Sequence, residues 1–375
     1  MKKLIFIIGF LTAITTLCCC DNDILELDDN QESKLIIHKS KLQNKEFISD
    51  ALTDNVIGNS NIRKMQVYTP PGYDRKNAQG YPVVYLLHGL PFSEKSFIDI
   101  QSWEEWVDPN GVFKNYPDFP EEGFKDWMDE LILSKKIAPM IIVMPNAASA
   151  YGFSFYSNSI LNGNFEDYIA YDLVNYIDNR YNTITNRDSR AVIGFSQGGY
   201  GAMKLGMKHA DKFGVVASHS APLFFQAFPA YIPQIITENP DGMIGPDPSK
   251  FLTSAMYAMS AAWSPNLNNP PFMVDLFFEY PSGEIIDSVL AQWLENDPYT
   301  MLDIYGDDFK SLNGIYFDVG ELDEFGWGLT YGYFIQKLDA MGIDHTSAFH
   351  GGGHFDKMFS RLNISLEFCS ENMIK

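Results

Sequence analysis

The residues of this chain best suited to chemistry are one serine, a set of carboxylates and a group of histidines, all in the C-terminal half. Ser196 stands in the run Ala191-Val192-Ile193-Gly194-Phe195-Ser196-Gln197-Gly198-Gly199-Tyr200-Gly201. An apolar, strand-like stretch enters Gly-x-Ser-x-Gly, and small residues follow as at a helix start. A serine on such a strand-to-helix turn has its hydroxyl pushed out of the sheet. The flanking glycines meet the same need, because a side chain at either position would clash in so tight a turn. The pentapeptide alone also fits a glycine-rich turn with an incidental serine. Its partners decide between the two. A serine hydroxyl is a poor nucleophile at neutral pH and needs a base, usually histidine, oriented by a carboxylate.

Both partners follow Ser196 in the order carboxylate, then histidine. Beyond the apolar run 315–319 come Glu321, Asp323 and Glu324. Asp323 lies just past the expected strand end, from where a carboxylate can reach a histidine. Asp318 falls inside the strand, and Glu321 and Glu324 read as solvated neighbours. The last expected strand is followed by His350-Gly351-Gly352-Gly353-His354. Three glycines make a loop able to bring His354 into a cleft, and a helix is expected to start there. His350 reads as a packed or surface residue at the strand end, and His345 lies before the strand, on the opposite edge. An oxyanion needs backbone N–H donors aimed at the developing charge. Gln197 supplies one from the helix start. Leu90, in Leu87-His88-Gly89-Leu90-Pro91, is placed to supply the second, with His88 as a structural residue of that loop.

The elements that must hold these residues are legible as hydrophobic patterns. Residues 62–69 alternate apolar and polar, as a half-buried strand does. Runs at 81–87, 140–144, 191–193, 214–217 and 315–319 are continuously apolar or nearly so, as expected of strands covered on both faces, and 346–349 reads as a last short strand. Helical patterns lie between them, at 124–134, 165–181, 199–209, 327–341 and 355–368. In the second of these, Ile169, Leu173, Tyr176 and Ile177 share a face. Strands alternating with helices predict a mostly parallel central sheet flanked by helices, with ligands beyond the carboxyl ends of the strands. Two aromatic-rich segments, 92–122 and 221–300, interrupt the alternation and are expected to roof the cleft as cap insertions. Most of their aromatics are expected to pack on one another, since large apolar residues are usually core.

A net charge of −21 argues against nucleic acid as a partner. Lys2 and Lys3, the apolar stretch 4–17 and then Cys18, Cys19 and Cys20 before polar Asp21 resemble a bacterial lipoprotein signal over 1–20. Cys20 is the expected lipidation site, and the membrane is expected to be met only through that anchor. The segment 21–45, opening with the acidic DNDILELDDNQESK, reads as a flexible tether before one domain at 46–375. Only Cys369 remains beyond the signal, so no internal disulfide can form, and no Cys/His spacing suits a metal. No cofactor is expected.

Beyond the pentapeptide, a set of stretches occurs in order from about residue 60 to 370. They are PPGYD (70–74), YPVVYLLHGLPFSE (81–94), IAPMIIVMPNA (137–147), SFYSNS (154–159), FEDYIAYDLVNYIDNRYNT (165–183), RAVIGFSQGGYGAM (190–203), GELDEF (320–325) and GGGHFD (351–356). Through them the chain resembles the family of α/β hydrolases named Putative esterase, which includes feruloyl and other carbohydrate esterases, S-formylglutathione hydrolases and mycolyltransferases. The resemblance implies an α/β-hydrolase fold, a Ser196–Asp323–His354 triad and an oxyanion hole from Leu90 and Gln197. It also suggests that SFYSNS lines the cleft, with Phe155, Tyr156 and Asn158 as substrate contacts. The long segment 221–300 departs from the shorter cap of many relatives. The expected function is hydrolysis of acyl or feruloyl esters on small molecules or carbohydrates through an acyl-enzyme. Acyl transfer to a sugar or lipid, and polysaccharide binding without turnover, are the alternatives.

Overall fold

The computed structural model describes residues 24–25, 37–89, 93–104, 117–245, 247 and 249–375. The expected signal 1–20, Cys20 with it, and Leu90 lie outside the described residues. The apolar runs form the strands of one eight-stranded sheet. These are β1 (Lys41–Ile48), β2 (Ile62–Thr69), β3 (Val83–Leu87), β4 (Ile141–Pro145), β5 (Arg190–Phe195), β6 (Val215–His219), β7 (Gly314–Gly320) and β8 (Thr346–His350). Their spatial order is β8-β7-β6-β5-β3-β4-β2-β1. Every pair from β4 to β8 is parallel, and β2 joins β4 and β1 antiparallel. Each residue of β3, β4, β5 and β6 is buried, as a parallel sheet covered on both faces requires.

The ordered sheet begins earlier than expected. β1 starts at Lys41, inside the segment read as a tether, and pairs with β2 along its whole length. Within 41–45 Leu42 packs against the core, and Phe47 further along stacks on Tyr176 at 4.7 Å. Leu42 and Phe47, five residues apart and so on opposite faces, anchor the strand on both sides despite the charged residues between them. Ile24–Leu25 also pairs with Ile37–His38 in a separate short ladder.

The helices are α1 (Phe124–Leu133), α2 (Phe165–Asp167, Tyr168–Leu173 and Val174–Arg180 run together, the middle part as π-helix), α3 (Gln197–Lys208), α4 (Ile232–Glu238), α5 (Phe251–Trp263), α6 (Asp287–Leu294), α7 (Pro298–Lys310), α8 (Tyr331–Met341) and α9 (Met358–Asn372). Ile169, Leu173 and Ile177 of α2 are fully buried on the expected face. Two helix starts differ from expectation. Residues 327–329 form a separate single turn before α8. Helix α9 begins at Met358, not at His354, because the Asp118 carboxylate accepts the N–H groups of Phe359 (2.7 Å) and Ser360 (3.1 Å) and caps that end. His354 therefore sits in a loop.

Helices α4 to α6 belong to the second insertion. Its aromatics largely pack on one another, with Trp263 5.2 Å from Trp293 and 4.7 Å from Phe225. The Trp293 indole N–H donates to Ser264 Oγ at 2.9 Å and that of Trp263 to Ser157 Oγ at 3.1 Å, so both are satisfied on burial.

Candidate active site

Strand β5 ends at Phe195 and α3 begins at Gln197, so Ser196 alone turns the chain. Its backbone has φ +59° and ψ −122°, a conformation rarely adopted by a residue with a side chain. Its N–H donates to the His219 carbonyl at the end of β6, 2.8 Å away. Two glycines make the turn possible. A Cβ on Gly194 would lie 2.0 Å from the Gly198 carbonyl oxygen, and one on Gly198 would lie 2.1 Å from that of Leu87. The elbow is thus packed backbone on backbone, and Ser196 opens from it into a cavity.

His354 and Asp323 meet across two loops. His354 Nδ1 is 2.8 Å from Asp323 Oδ2, and both side chains are wholly buried. A carboxylate only accepts, so Nδ1 carries the proton and Nε2 is left as the basic nitrogen. Asp323 is itself held, its Oδ1 accepting the N–H of Phe325 at 3.0 Å. The imidazole is walled by Phe355, Phe325 and Trp327, with ring centroids at 4.7, 5.0 and 5.1 Å. Phe325 and Trp327 also line the cavity into which Ser196 opens. Glu324 is not a solvated neighbour: its Oε2 accepts the His354 N–H at 2.7 Å.

The other candidates fall elsewhere. Asp318 lies inside β7, as expected, and binds Arg361 and His219. Burial alone would raise its carboxyl, but His219 and Arg361 outweigh burial and hold it well below the usual carboxylate range. His345 stacks on Phe317 at 5.4 Å, before β8. His350 ends β8, half-buried, and burial pushes its pKa down to about 4.

His88 pins the loop that leads to Leu90. Its Nδ1 lies 2.9 Å from the Gly89 carbonyl and its Nε2 accepts the Ala147 N–H at 2.8 Å. Burial pushes its pKa down to about 4, which matches a neutral ring with Nδ1–H donating. Gly89 runs directly against Ser196, since a Cβ there would sit 2.7 Å from the Ser196 Cβ. Leu90 itself is outside the described residues. Gln197 lines the cavity at the start of α3, and its Oε1 accepts the Phe155 N–H at 3.1 Å.

The segment SFYSNS does less lining than expected. Phe155 is on the cavity wall. Tyr156 is fully buried behind it and donates to the His88 carbonyl at 2.8 Å. Asn158 Oδ1 accepts the N–H groups of Glu166 and Asp167, both at 3.1 Å, and caps α2. These two support the site and do not touch the cavity. A further support escaped sequence reading. Lys204 of α3 is buried with its Nζ 2.7 Å from Ser157 Oγ and 3.2 Å from Glu166, and burial pushes its pKa down to about 8. A lysine set among small and apolar residues in the middle of α3, ahead of the one at its end, was the available signal.

The cavity has a volume of about 600 Å³, counting its open mouth. The second insertion supplies much of its wall, with Phe228, Tyr231, Met256 and Met259, and Phe155 and Trp327 line it as well. No charged side chain is among its described lining residues. The Tyr231 hydroxyl donates to the Phe325 carbonyl and ties this cap to the loop of Asp323. The first insertion does not roof the cavity among its described residues. Trp103 packs on Phe355 at 4.9 Å and Phe119 on Phe359 at 4.8 Å, so that segment covers the start of α9.

Known proteins share this architecture. A solved ferulic acid esterase superimposes with a TM-score of 0.56 at 22% identity, covering 89% of this chain and 99% of its own. The S-formylglutathione hydrolase FrmB of Staphylococcus aureus gives 0.52 at 16% identity, covering 88% of this chain and 99% of its own. At these identities the likeness is one of fold, that of the α/β hydrolases. Two Mycobacterium tuberculosis proteins, Esterase MT1326 and Esterase Rv1288, are each 31% identical over 162 residues, or 42% of this chain. The match spans 29% of the length of these curated relatives. The family model described as Putative esterase matches residues 59–359, most of the chain, which therefore belongs to that esterase family.

Proposed function

We propose that the protein hydrolyses carboxylic esters through an acyl-enzyme on Ser196. His354 Nε2 takes the hydroxyl proton, Asp323 orients the ring and balances the imidazolium, and the N–H of Gln197, with that of Leu90, stabilises the oxyanion. Protonated His354 then gives its proton to the leaving alcohol, and water resolves the acyl-enzyme by the reverse sequence. The observation that carries this reading is the buried His354–Asp323 pair, walled by the same Phe325 and Trp327 that line the cavity open to Ser196.

The uncharged, aromatic-rich wall favours an apolar acyl group, aliphatic or hydroxycinnamoyl, over a charged one. Feruloyl esters of carbohydrates fall in that class, and the similar fold of a ferulic acid esterase supports it. The test is turnover of p-nitrophenyl acetate, butyrate and ferulate by the wild type and by Ser196→Ala, with fluorophosphonate labelling of both. We expect Ser196→Ala to lose several orders of magnitude in kcat and all labelling. Retention of most activity sinks the assignment. Anchoring through Cys20 is proposed with it, on the signal-like N-terminus, and incorporation of labelled fatty acid by the wild type but not by Cys20→Ala is the check.

A further inference from the structure

The loop carrying His354 contains Gly351, Gly352 and Gly353 and has little rigidity of its own. Its ring and its N–H are held by Asp323 and Glu324, which lie on a second loop. Two loops holding each other do not fix either one relative to the sheet. The fixed reference enters at the His354 carbonyl. Arg361 of α9 donates to it through Nη1 at 3.3 Å, and the Ser220 hydroxyl donates to it at 3.1 Å. Ser220 Oγ in turn accepts from Arg361 Nη2 at 2.9 Å.

Arg361 is anchored from the sheet. Its Nε and Nη2 both donate to Oδ1 of Asp318 on β7, the first at 2.9 Å. Asp318 Oδ2 accepts from the Tyr316 hydroxyl and lies against His219 Nδ1, each at 2.9 Å. The same guanidinium lies over the ring of Phe195, 4.7 Å from its centroid, and Phe195 is the residue before the nucleophile. Ser220 is placed alike: its own N–H donates to the Asp318 carbonyl, and the His219 carbonyl next to it receives the N–H of Ser196. One planar group and one hydroxyl thus touch the backbone of the base and the immediate neighbours of the nucleophile. His219 Nε2 continues to Ser365 Oγ at 3.0 Å. That Ser365–His219–Asp318 string resembles a second catalytic row, but all three residues are sealed from solvent, and it serves as the brace of Arg361.

We infer that Arg361 and Ser220 are positioning residues that set the spacing between Ser196 and His354 from the sheet. This inference rests on the roles proposed above for those two residues. Lysine at 361 keeps a cation but cannot stack flat on Phe195, nor can one ammonium replace the fork that donates to Asp318, Ser220 and the carbonyls of His354 and Asp356. Displacing a catalytic group by an ångström is worth about 100-fold in rate. The expected result for Arg361→Lys is therefore a kcat about 100-fold lower with KM little changed, and a fluorophosphonate labelling rate that falls in step. For Ser220→Ala, which removes a donor to the His354 carbonyl and an acceptor for Arg361 Nη2, the expected fall in kcat is about tenfold, and a thermal melt checks that the variant is folded. Because a buried arginine can be needed for folding, Ser220→Ala decides if Arg361→Lys does not fold. Folded Ser220→Ala with wild-type kcat and labelling rate, or with its defect confined to KM, overturns the positioning role. Run beside it, Ser196→Ala separates the two failures: if it is inactive the site reading stands and only the clamp falls, and if it is active both fall.

Discussion

Replacing Asp323 by asparagine tests the central contact with the smallest change of shape. The carboxylate lies 2.8 Å from His354 Nδ1 with both side chains wholly buried, so no solvent screens the pair. In the proposed mechanism the imidazole becomes positive as Ser196 loses its proton, and Asp323 faces it with a full negative charge. At roughly 4 Å between charge centres and an effective dielectric of about 20, that attraction is worth about 4 kcal/mol. Removing it raises the barrier by a similar amount, or about a thousandfold in rate. Asparagine adds a second fault. Its amide N–H₂ can donate to Nδ1, which moves the ring proton to Nε2, where it faces the nucleophile and abolishes the base. Together these put the expected loss in kcat at about 10³ to 10⁴-fold, with KM changed far less. Steady-state hydrolysis of p-nitrophenyl butyrate gives both constants, and a thermal melt confirms that the variant is folded. A folded Asp323→Asn enzyme within tenfold of wild-type kcat would refute the reasoning, and Glu324, bonded to the same histidine through its backbone, would become the carboxylate to test.

Two further outcomes follow from the same geometry. Gly198→Ala places a Cβ 2.1 Å from the Leu87 carbonyl oxygen, so the elbow must open. We expect loss of fluorophosphonate labelling and a lower thermal midpoint, and a folded, normally labelled variant counts against the elbow as the source of reactivity. His88 links stability to acid. Its pKa is about 4 in the fold against an ordinary 6.5, so the unfolded chain binds the extra proton and stability falls as pH drops from about 6.5 to 4. The maximum contribution is roughly 3 kcal/mol. The wild type should lose more stability than His88→Asn over that window in denaturant titrations, and equal slopes for the two would show that His88 is not the linked group.

How much was legible beforehand depends on how far each signal reaches along the chain. The elbow was readable because its demands are local: a strand, a one-residue turn and glycines where backbones touch all fall within 191–201. The partners were readable because chain order in such a sheet puts the ends of β5, β7 and β8 on one rim, so residues just past 319 and 350 arrive together. The strands of the central sheet stood out because burial on both faces leaves a continuous apolar run. The same reasoning failed where a residue type has two uses. Tyr156 and Asn158 have the chemistry of substrate contacts, yet a backbone carbonyl and a helix end claim them. Asp118 stopped α9 from starting at His354 across a separation of 241 residues, and no local pattern reports that.

The sequence alone determined the candidate residues, Ser196, Asp323 and His354, and the order of the strands that carry them, since residue identity and strand periodicity are written in it directly. The tertiary structure decided the side-chain environment: that Glu324, Arg361 and Ser220 grip the backbone of His354, and that α4 and α5 make the pocket at Ser196 apolar. These contacts join residues from 7 to 134 positions apart with no fixed period, and a hydrogen bond or a cavity wall depends on distances in space that spacing along the chain does not encode.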